Sequence, residues 1–439
     1  MKTNLIRQTL YEMRTQPVAA SVTLAGTALA IFLMMVVMMI SSSQDVEFAP
    51  ESHRSDLLFG ANIEVTAFDG NSSGSSRLSL RAAKLLYDGL DGIERVAYYN
   101  DDVDGVEVSG GNRGSQMLYR RLADSEFWNV FDHSFVAGRP YDSALEKSGE
   151  HVCVLSEDAV RAVFGVAPAE AVGRTLTIDW SPYRVVGVVR SSSPLATHAY
   201  GQLFVPVTSV EEYPMMGLDV FGSTTAAMLK KPGVSEEQIR KQVKGRYALL
   251  DKELEPAGYR SVYHEQPYNQ KVMRNAEGSN RTPDTESDDR ELWITMLLLL
   301  LVPAVNMSAM TQSRLRRRVA ETGIKRAYGA SRTRIMLEIL AENMLLTIAG
   351  GAVGLLLSII GGWLLGDYVF AGSAGPNTYT GSGLVEGVDV HIPWKILIQW
   401  RVFAGALVAC FILNLLSAGI PAWRASRVAP VEALRGTGA

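Results

Sequence analysis

The sequence predicts a multi-pass α-helical membrane protein: four transmembrane helices, with a large extracytoplasmic α+β domain of two subdomains inserted between helices 1 and 2. Three observations lead to this fold class. Four apolar stretches interrupt the 439-residue chain, one long polar segment separates the first from the other three, and basic residues gather at one set of their ends.

The apolar stretches are Val18–Ile40, Leu292–Met310, Met344–Leu365 and Val402–Ile420, and none contains Asp, Glu, Lys or Arg. At a rise of 1.5 Å per residue, roughly 20 residues cross a hydrocarbon core of about 30 Å. The first stretch is too long for the apolar region of a cleavable signal peptide, and it ends without an A-x-A pattern. It therefore predicts an uncleaved anchor.

Basic residues set the predicted orientation. They cluster before the first stretch, between the second and third, and after the fourth, whereas the segment Asp367–Gln399 holds only Lys395. The positive-inside rule places both termini and the middle loop in the cytoplasm, and the polar domain and the 367–399 loop outside. The net charge of −4 argues against nucleic acid as a partner.

These patterns predict nine consecutive regions. They are a cytoplasmic amphipathic helix (1–16), helix 1 (17–41), the extracytoplasmic domain (42–291), helix 2 (292–311), a cytoplasmic loop (312–340), helix 3 (341–366), an extracytoplasmic loop (367–399), helix 4 (400–421) and a cytoplasmic tail (422–439). For residues 1–16 a frayed tail is the alternative, because only Ile6, Leu10 and Met13 recur at helical spacing.

Within the outer domain, a strand, helix and strand are predicted twice, at Asn62–Phe68, Leu78–Leu90 and Ile93–Tyr99, and at Thr224–Leu229, Ser235–Leu250 and Tyr259–His264. Asn71–Ser76 is predicted to be a flexible turn. Two such units predict a split α/β subdomain with a β-rich subdomain, about 116–206, inserted in it. The clearest hairpin of the insertion is Arg174–Asp179 with Tyr183–Val189.

Motifs for catalysis or metal binding are missing from the sequence. It contains no G-x-x-x-x-G-K-[ST] loop, no H-E-x-x-H and no Cys/His cluster. Asn306 and Asn414, inside the apolar stretches, are interpreted as interhelical packing groups. Gly350 with Gly354, and Gly362 with Gly366, permit close helix approach, either within the bundle or between protomers. An enzyme is not expected.

The cytoplasmic loop carries a pattern that the positive-inside rule does not require. Glu321–Ala330 lies between two basic runs, Gly323 and Gly329 punctuate a short predicted helix, and Ser331 can cap the helix that follows. A short helix held between two long ones has a suitable shape for docking into a groove of a partner protein.

This segment resembles the signature of MacB/FtsX-type (type VII, mechanotransmitter) ABC transporter permeases, approximately R-x-R-x-x-E-I-G-I-R-R-A-L-G-A-S. Thr322, Lys325 and Tyr328 depart from the usual Ile, Arg and Leu. The C-terminal residues are similar to the family ending P-A-x-x-A-x-x-x-x-P-x-E-A-L-R, matched by Pro421, Ala422, Ala425, Pro430, Glu432, Ala433, Leu434 and Arg435. The stretch from Gly138 to Val188 is similar to the family's extracytoplasmic core domain.

The resemblance implies a dimer, formed with a second permease copy or a paralogue, in the bacterial inner (plasma) membrane, with the large domain in the periplasm or outside. It implies a separate cytoplasmic ABC ATPase, since MacB carries a fused ATPase and no such domain is found in this sequence. ATP and Mg²⁺ would bind that partner, and no cofactor or metal would bind directly. The coupling helix would comprise Glu321, Thr322, Gly323, Ile324, Lys325, Arg326, Ala327, Tyr328 and Gly329.

The expected function is therefore that of a permease subunit, which couples ATP hydrolysis to movements of the outer domain for efflux, extraction or mechanotransmission. Membrane lipid is an expected partner, and periplasmic or outer-membrane proteins are compatible with it. The alternative is a membrane-anchored receptor or signalling scaffold with an extracytoplasmic ligand-binding domain and no transport.

Overall fold

The structure is a computed structural model that describes residues 17–43, 45–100, 103–111, 113–210, 218–276, 280–287, 289–301, 324–325, 328–366 and 394–427. The chain divides into two compact units. The described residues of Met1–Ser41, Ser287–Val369 and Trp394–Ala439 form a helical unit, and those of Ser42–Glu286 form a mixed α/β unit, the outer domain.

In chain order the helices are α1 Pro17–Ser42, α2 Leu80–Tyr87, α3 Phe127–Val130, α4 Ser143–Ser148, α5 Glu157–Val163, α6 Pro168–Ala171, α7 Glu236–Leu254, α8 Gln270–Arg274, α9 Arg332–Leu364, α10 Trp394–Leu397 and α11 Trp400–Arg427. The strands are β1 Leu57–Gly60, β2 Asn62–Ala67, β3 Ser73–Leu78, β4 Ile93–Asn100, β5 Asp104–Ser109, β6 Ser115–Ala123, β7 Phe135–Gly138, β8 Val152–Ser156, β9 Thr175–Ile178, β10 Ser181–Val189, β11 Leu203–Pro206, β12 Phe221–Gly222, β13 Thr224–Lys230, β14 Tyr259–Val262 and β15 Tyr268–Asn269.

Three helical segments of the described chain are long and apolar enough to cross a membrane: Leu24–Ser42, Met344–Leu364 and Trp394–Ile412. They coincide with predicted helices 1, 3 and 4, although the last begins inside the predicted outer loop. For predicted helix 2, residues 289–301 are helical, and residues 302–311 lie outside the described residues. The count of four spans therefore stays a prediction, as do the helix at 1–16, the loop at 367–393 and the tail at 428–439, which also lie outside them.

In the described residues, the outer domain is built around one mixed sheet of 15 strands, with two large hydrophobic cores and a small third cluster of Val103, Tyr119 and Tyr200. The first core gathers side chains from β1–β4, β12, β13, α2 and α7, including Leu86, Met228 and Val243. The second core gathers side chains from β5, β6, β8–β11 and α5, including Val108 and Val188. This second core includes side chains of β5, which precedes residue 116 in the chain. The inserted subdomain was predicted to begin at about residue 116. Along the sheet, β4 meets β6 through the register pair Tyr99–Ala123.

Helix capping and periodicity explain the two main helices of the first core. Ser79 and Ser235 precede α2 and α7, and each side chain accepts the backbone N–H of the third residue of its helix. The buried residues of α7 recur at helical spacing and face the sheet, namely Ile239, Val243, Tyr247, Leu250 and Leu254. Both helices were predicted from that periodicity, and both predictions are confirmed.

The predicted hairpin is also confirmed. β9 and β10 pair in antiparallel register, with Ile178 opposite Ser181, and Asp179 and Trp180 turn the chain at φ 47° and 67°. The flexible turn predicted at Asn71–Ser76 is wrong in part. Ser73–Leu78 forms β3, which pairs with β2 from Asn62–Arg77 to Thr66–Ser73. Backbone hydrogen bonds from β2 decide this strand, although its Ser/Gly composition is typical of a turn.

Candidate coupling segment

Four of the nine predicted coupling residues lie within the described chain: Ile324, Lys325, Tyr328 and Gly329. Glu321, Thr322, Gly323, Arg326 and Ala327 lie outside the described residues, so their predicted role stays a prediction. Of the C-terminal motif, the backbone of Pro421, Ala422 and Ala425 continues α11, whereas Pro430, Glu432, Ala433, Leu434 and Arg435 lie outside the described residues.

The described part of the segment ends as a helix ends. Gly329 has φ +89°, a backbone conformation that other L-residues rarely adopt, and the N–H of Ala330 donates to the carbonyl of Lys325 at 3.0 Å. A left-handed glycine with this six-residue bond is the Schellman motif, which terminates helices. The glycine was predicted to punctuate a short helix, and its conformation is that of a helix stop.

A second helix begins two residues later. The Ser331 side chain accepts the N–H of Arg334 at 3.2 Å and so caps α9, as was predicted from the sequence. α9 has 33 residues, or about 50 Å at 1.5 Å per residue. Because that length exceeds a hydrocarbon core of about 30 Å, α9 extends well beyond any membrane that it crosses. The residues of α9 that precede its apolar span, which begins at Met344, form this extension.

One ion pair joins the segment to that extension. Lys325 Nζ lies 2.8 Å from Glu338 Oε1, and Glu338 stands in the second turn of α9. Both side chains are about one-third exposed, so the pair contributes on the order of 0.2–1 kcal/mol to stability. The pair places the segment beside the second turn of α9. Glu338 was not singled out in the sequence, since a lone glutamate in a basic stretch carries no local signal.

Ile324 and Tyr328 make up the exposed face of the segment. They are four residues apart, and hence neighbours on a helix face, with exposed fractions of 48% and 89%. The N–H of Tyr328 donates to the carbonyl of Ile324 at 3.1 Å. An exposed aromatic side chain on a braced, sharply ended helix matches the anchors that carry binding energy in protein interfaces. The chemistry available here is recognition of another protein.

The glycines of α9 lie against three neighbouring helices of the same chain, α1, α10 and α11. A Cβ added at Gly350 would meet Thr27 Cβ at 2.9 Å, and one at Gly354 would meet the Ala28 carbonyl at 2.6 Å, both on α1. A Cβ at Gly362 would meet Leu397 of α10 at 2.6 Å. For these three glycines the choice left open by the sequence is settled: they permit close packing within the bundle.

No group of three or more His, Cys, Asp or Glu within the described ranges could hold a metal ion. Cys153 is buried in the second core, and burial raises the pKa of its thiol well above the ordinary value. A thiol in that state is a poor nucleophile at neutral pH.

Comparison with known proteins gives two family matches that together span most of the chain. A model described as "MacB-like periplasmic core domain" matches residues 20–246, and one described as "FtsX-like permease C-terminal" matches residues 293–430. The first match alone covers more than half of the sequence.

Curated relatives are distant in sequence. An uncharacterized ABC transporter permease, YknZ from Bacillus subtilis, is 21% identical over 87% of this chain and 84% of its own length. The macrolide export ATP-binding/permease protein MacB from Salmonella paratyphi A is 22% identical over 83% of this chain. This chain spans about half (51%) of the length of that MacB protein.

A solved structure gives a further match. The periplasmic region of MacB from Actinobacillus actinomycetemcomitans aligns with 18% identity and a TM-score of 0.33, over 49% of this chain and 91% of that one. A TM-score of this size carries no argument about function.

Proposed function

This chain belongs to the family of MacB- and FtsX-like ABC transporter permeases, and on that premise we propose that it couples ATP hydrolysis to movement of its outer domain. The hydrolysis takes place on a separate cytoplasmic ABC ATPase. The absence of a phosphate-binding loop from the sequence supports a partner as the site of hydrolysis. Efflux, extraction and mechanotransmission are all compatible with this activity.

The proposal includes an arrangement in the membrane. The four apolar stretches of the sequence support four spans. The distribution of basic residues supports both termini and the middle loop in the cytoplasm, with the outer domain in the periplasm or outside the cell. A second permease copy or a paralogue completes the assembly, and the ATPase binds ATP and Mg²⁺. The three long apolar helices of the described residues support a membrane location, and membership of the family supports the bacterial inner membrane.

The observation that carries the proposal is the exposed face of the coupling segment. Ile324 and Tyr328 are presented to the surroundings, Gly329 ends the helix beneath them, and Lys325 holds the segment to α9. A partner that seats on Tyr328 therefore acts on the end of a helix that continues without a break to Leu364. Movement of the partner reaches the membrane helices through that element.

The test is the substitution Tyr328→Ala in the full chain, coexpressed with its ATPase. Truncation of a central interface aromatic typically weakens binding by about 2 kcal/mol, roughly 30-fold. We expect co-purification of the ATPase, and stimulation of its hydrolysis by the permease, to fall by that order.

Trp180→Ala is the matched control, because Trp180 is 97% exposed at the hairpin tip of the outer domain. It should bind and stimulate the ATPase like the unmodified chain. If Tyr328→Ala also does so, at normal membrane insertion, the docking face is misassigned.

A further inference from the structure

The segment that directly follows α1 in the chain contains a fully buried ion pair. Arg54 and Glu51 are each 1% exposed, and Arg54 Nε donates to Glu51 Oε2 at 2.7 Å. Arg54 Nη1 donates to the carbonyls of Ser43 and Val46, each at 2.9 Å. Arg54 thus folds the first residues after α1 around itself, with its guanidinium 4.5 Å from the centre of the Phe48 ring.

The same pair reaches a distant part of the chain. Arg54 Nη2 donates to the carbonyl of Leu195 at 2.6 Å, and Glu51 Oε1 accepts the N–H groups of His198 and Ala199, each at 2.8 Å. Burial alone raises the pKa of Glu51, but the Arg54 charge and these donors hold it below the ordinary value, so the carboxylate is ionised at neutral pH. We call Glu51, Arg54 and residues 193–200 the latch.

The loop of the latch, residues 193–200, contacts strands of both halves of the sheet. It connects β10 and β11 of the second core, and Arg121 of β6 donates to the carbonyls of Tyr200 and Thr197 at 2.5 and 2.9 Å. From β1, the Phe59 ring stacks on His198 at 4.1 Å, and from β4 the Tyr99 hydroxyl forms a hydrogen bond with His198 Nδ1 at 2.8 Å.

Continuity between the cores is narrow at this point. In the described register, β4 and β6 pair at Tyr99–Ala123, whereas β5 and β6 pair at six successive positions, from Asp104–Arg120 to Ser109–Ser115. A sheet joined through one register pair bends there more easily than through a full ladder of hydrogen bonds. The register pair and one bond from the Asp124 N–H to the Tyr98 carbonyl, at 2.9 Å, join β4 to β6 along this seam, and the latch contacts both strands through Tyr99 and Arg121.

The segment after α1 also forms an ion pair with α8, and this pair is weaker than the latch. Asp45 Oδ2 lies 3.3 Å from Arg274 Nη1 of α8, and the Asp45 side chain is 46% exposed. Water and salt screen such a pair, so it restrains little. If either Glu51 or Arg54 were removed, the charge of the other would stay buried with no counter-charge and no access to water, which is strongly destabilising. The segment is thus held far more firmly by the latch.

We propose that the latch transmits displacement of α1 to the seam, so that the angle between the two cores changes with the nucleotide state of the ATPase. Glu51 and Arg54 are positioning residues in this scheme. The inference rests on the proposed function, because an ATPase must first move the membrane helices.

The experiment measures the angle as a distance. Spin labels are placed at Lys241→Cys, on α7 of the first core, and at Glu170→Cys, on α6 of the second, with Cys153 and Cys410 replaced by Ala. The full complex with its ATPase is reconstituted in nanodiscs, and the label distance is compared without nucleotide and with ATP and Mg²⁺. In the unmodified latch we expect a nucleotide-dependent shift of several ångströms.

The test variant is Glu51→Leu with Arg54→Met, since apolar replacement of a whole buried pair is often tolerated. We expect its ATPase rate to stay within about twofold and its distance shift to be lost. The matched control, Glu150→Leu with Arg184→Met, removes an exposed pair at 2.8 Å between β10 and the residues before β8, and it should keep the full shift. If the double variant does not assemble, Glu51→Gln, which keeps an acceptor oxygen, should show a reduced shift.

A full shift in either latch variant overturns the proposal. The proposal is also overturned if the unmodified complex shows permease-stimulated hydrolysis but no nucleotide-dependent change in the label distance. That result would leave the proposed function intact. A chain that neither binds nor stimulates an ABC ATPase refutes the proposed function, and this inference falls with it.

Discussion

Substitution of Gly354 by Ala tests the packing of α1 against α9. An added Cβ would lie 2.6 Å from the Ala28 carbonyl oxygen and 3.0 Å from Ile31 Cβ, where ordinary contact begins at 3.4 Å. The helices must therefore separate by about 0.8 Å, the difference between 3.4 and 2.6 Å. A gap of 0.5–1 Å forfeits roughly a quarter to a half of each dispersion contact across the interface.

The magnitude follows from two opposing effects. Overpacking of this kind typically costs about 1–3 kcal/mol, whereas alanine in place of glycine inside a helix gains roughly 1 kcal/mol. The net expectation for Gly354→Ala is a loss of about 0–2 kcal/mol. Gly405 of α11 is the control, because an added Cβ there meets nothing within 4 Å. Gly405→Ala should therefore gain stability, which separates the two variants by about 1–3 kcal/mol.

The assay is unfolding of the full chain in mixed micelles of increasing SDS fraction, followed by circular dichroism. Gly354→Ala should unfold at a lower SDS fraction than the parent, and Gly405→Ala at an equal or higher one. If Gly354→Ala proves as stable as Gly405→Ala, the close approach of α1 to α9 is not as described.

Two further predictions concern the outer domain in the full chain. The Tyr247 hydroxyl is buried with no hydrogen-bond partner among the described residues, so Tyr247→Phe should raise the free energy of unfolding by about 1 kcal/mol. The control Tyr141→Phe removes a 3.0 Å bond to the Ala123 carbonyl and should lower the free energy of unfolding. Equal effects of the two substitutions in chemical denaturation would contradict this reasoning. Burial raises the pKa of Asp124 to about 8, above the value near 3.9 of the unfolded chain. The contribution of Asp124 to the free energy of unfolding is therefore fully present below pH 4, and it declines by about 1.4 kcal/mol per pH unit from pH 4 to pH 8. Asp124→Asn keeps an oxygen for the Phe127 N–H and should remove that decline from the pH–stability curve; an unchanged slope would show that Asp124 is ionised in the folded chain.

Local patterns in the sequence were sufficient for much of the architecture. Helix α7 follows from a serine cap and an apolar stripe, and the β9–β10 hairpin follows from two alternating runs around a short turn. The end of the coupling segment at Gly329 and the start of α9 at Ser331 are likewise local, because capping involves residues within five positions of each other. The family resemblance rests on the same contiguous motifs.

Tertiary structure decided what depends on distant neighbours. Ser73–Leu78 becomes a strand because β2 supplies its hydrogen bonds, and the glycines of α9 face α1 because the bundle places them there. Neither Glu51 nor Arg54 stands out in the sequence, yet both are buried, since Arg54 binds a carbonyl 141 residues away. A sequence window records the propensity of its own element, but the burial of a charge depends on partners that only the folded chain brings together.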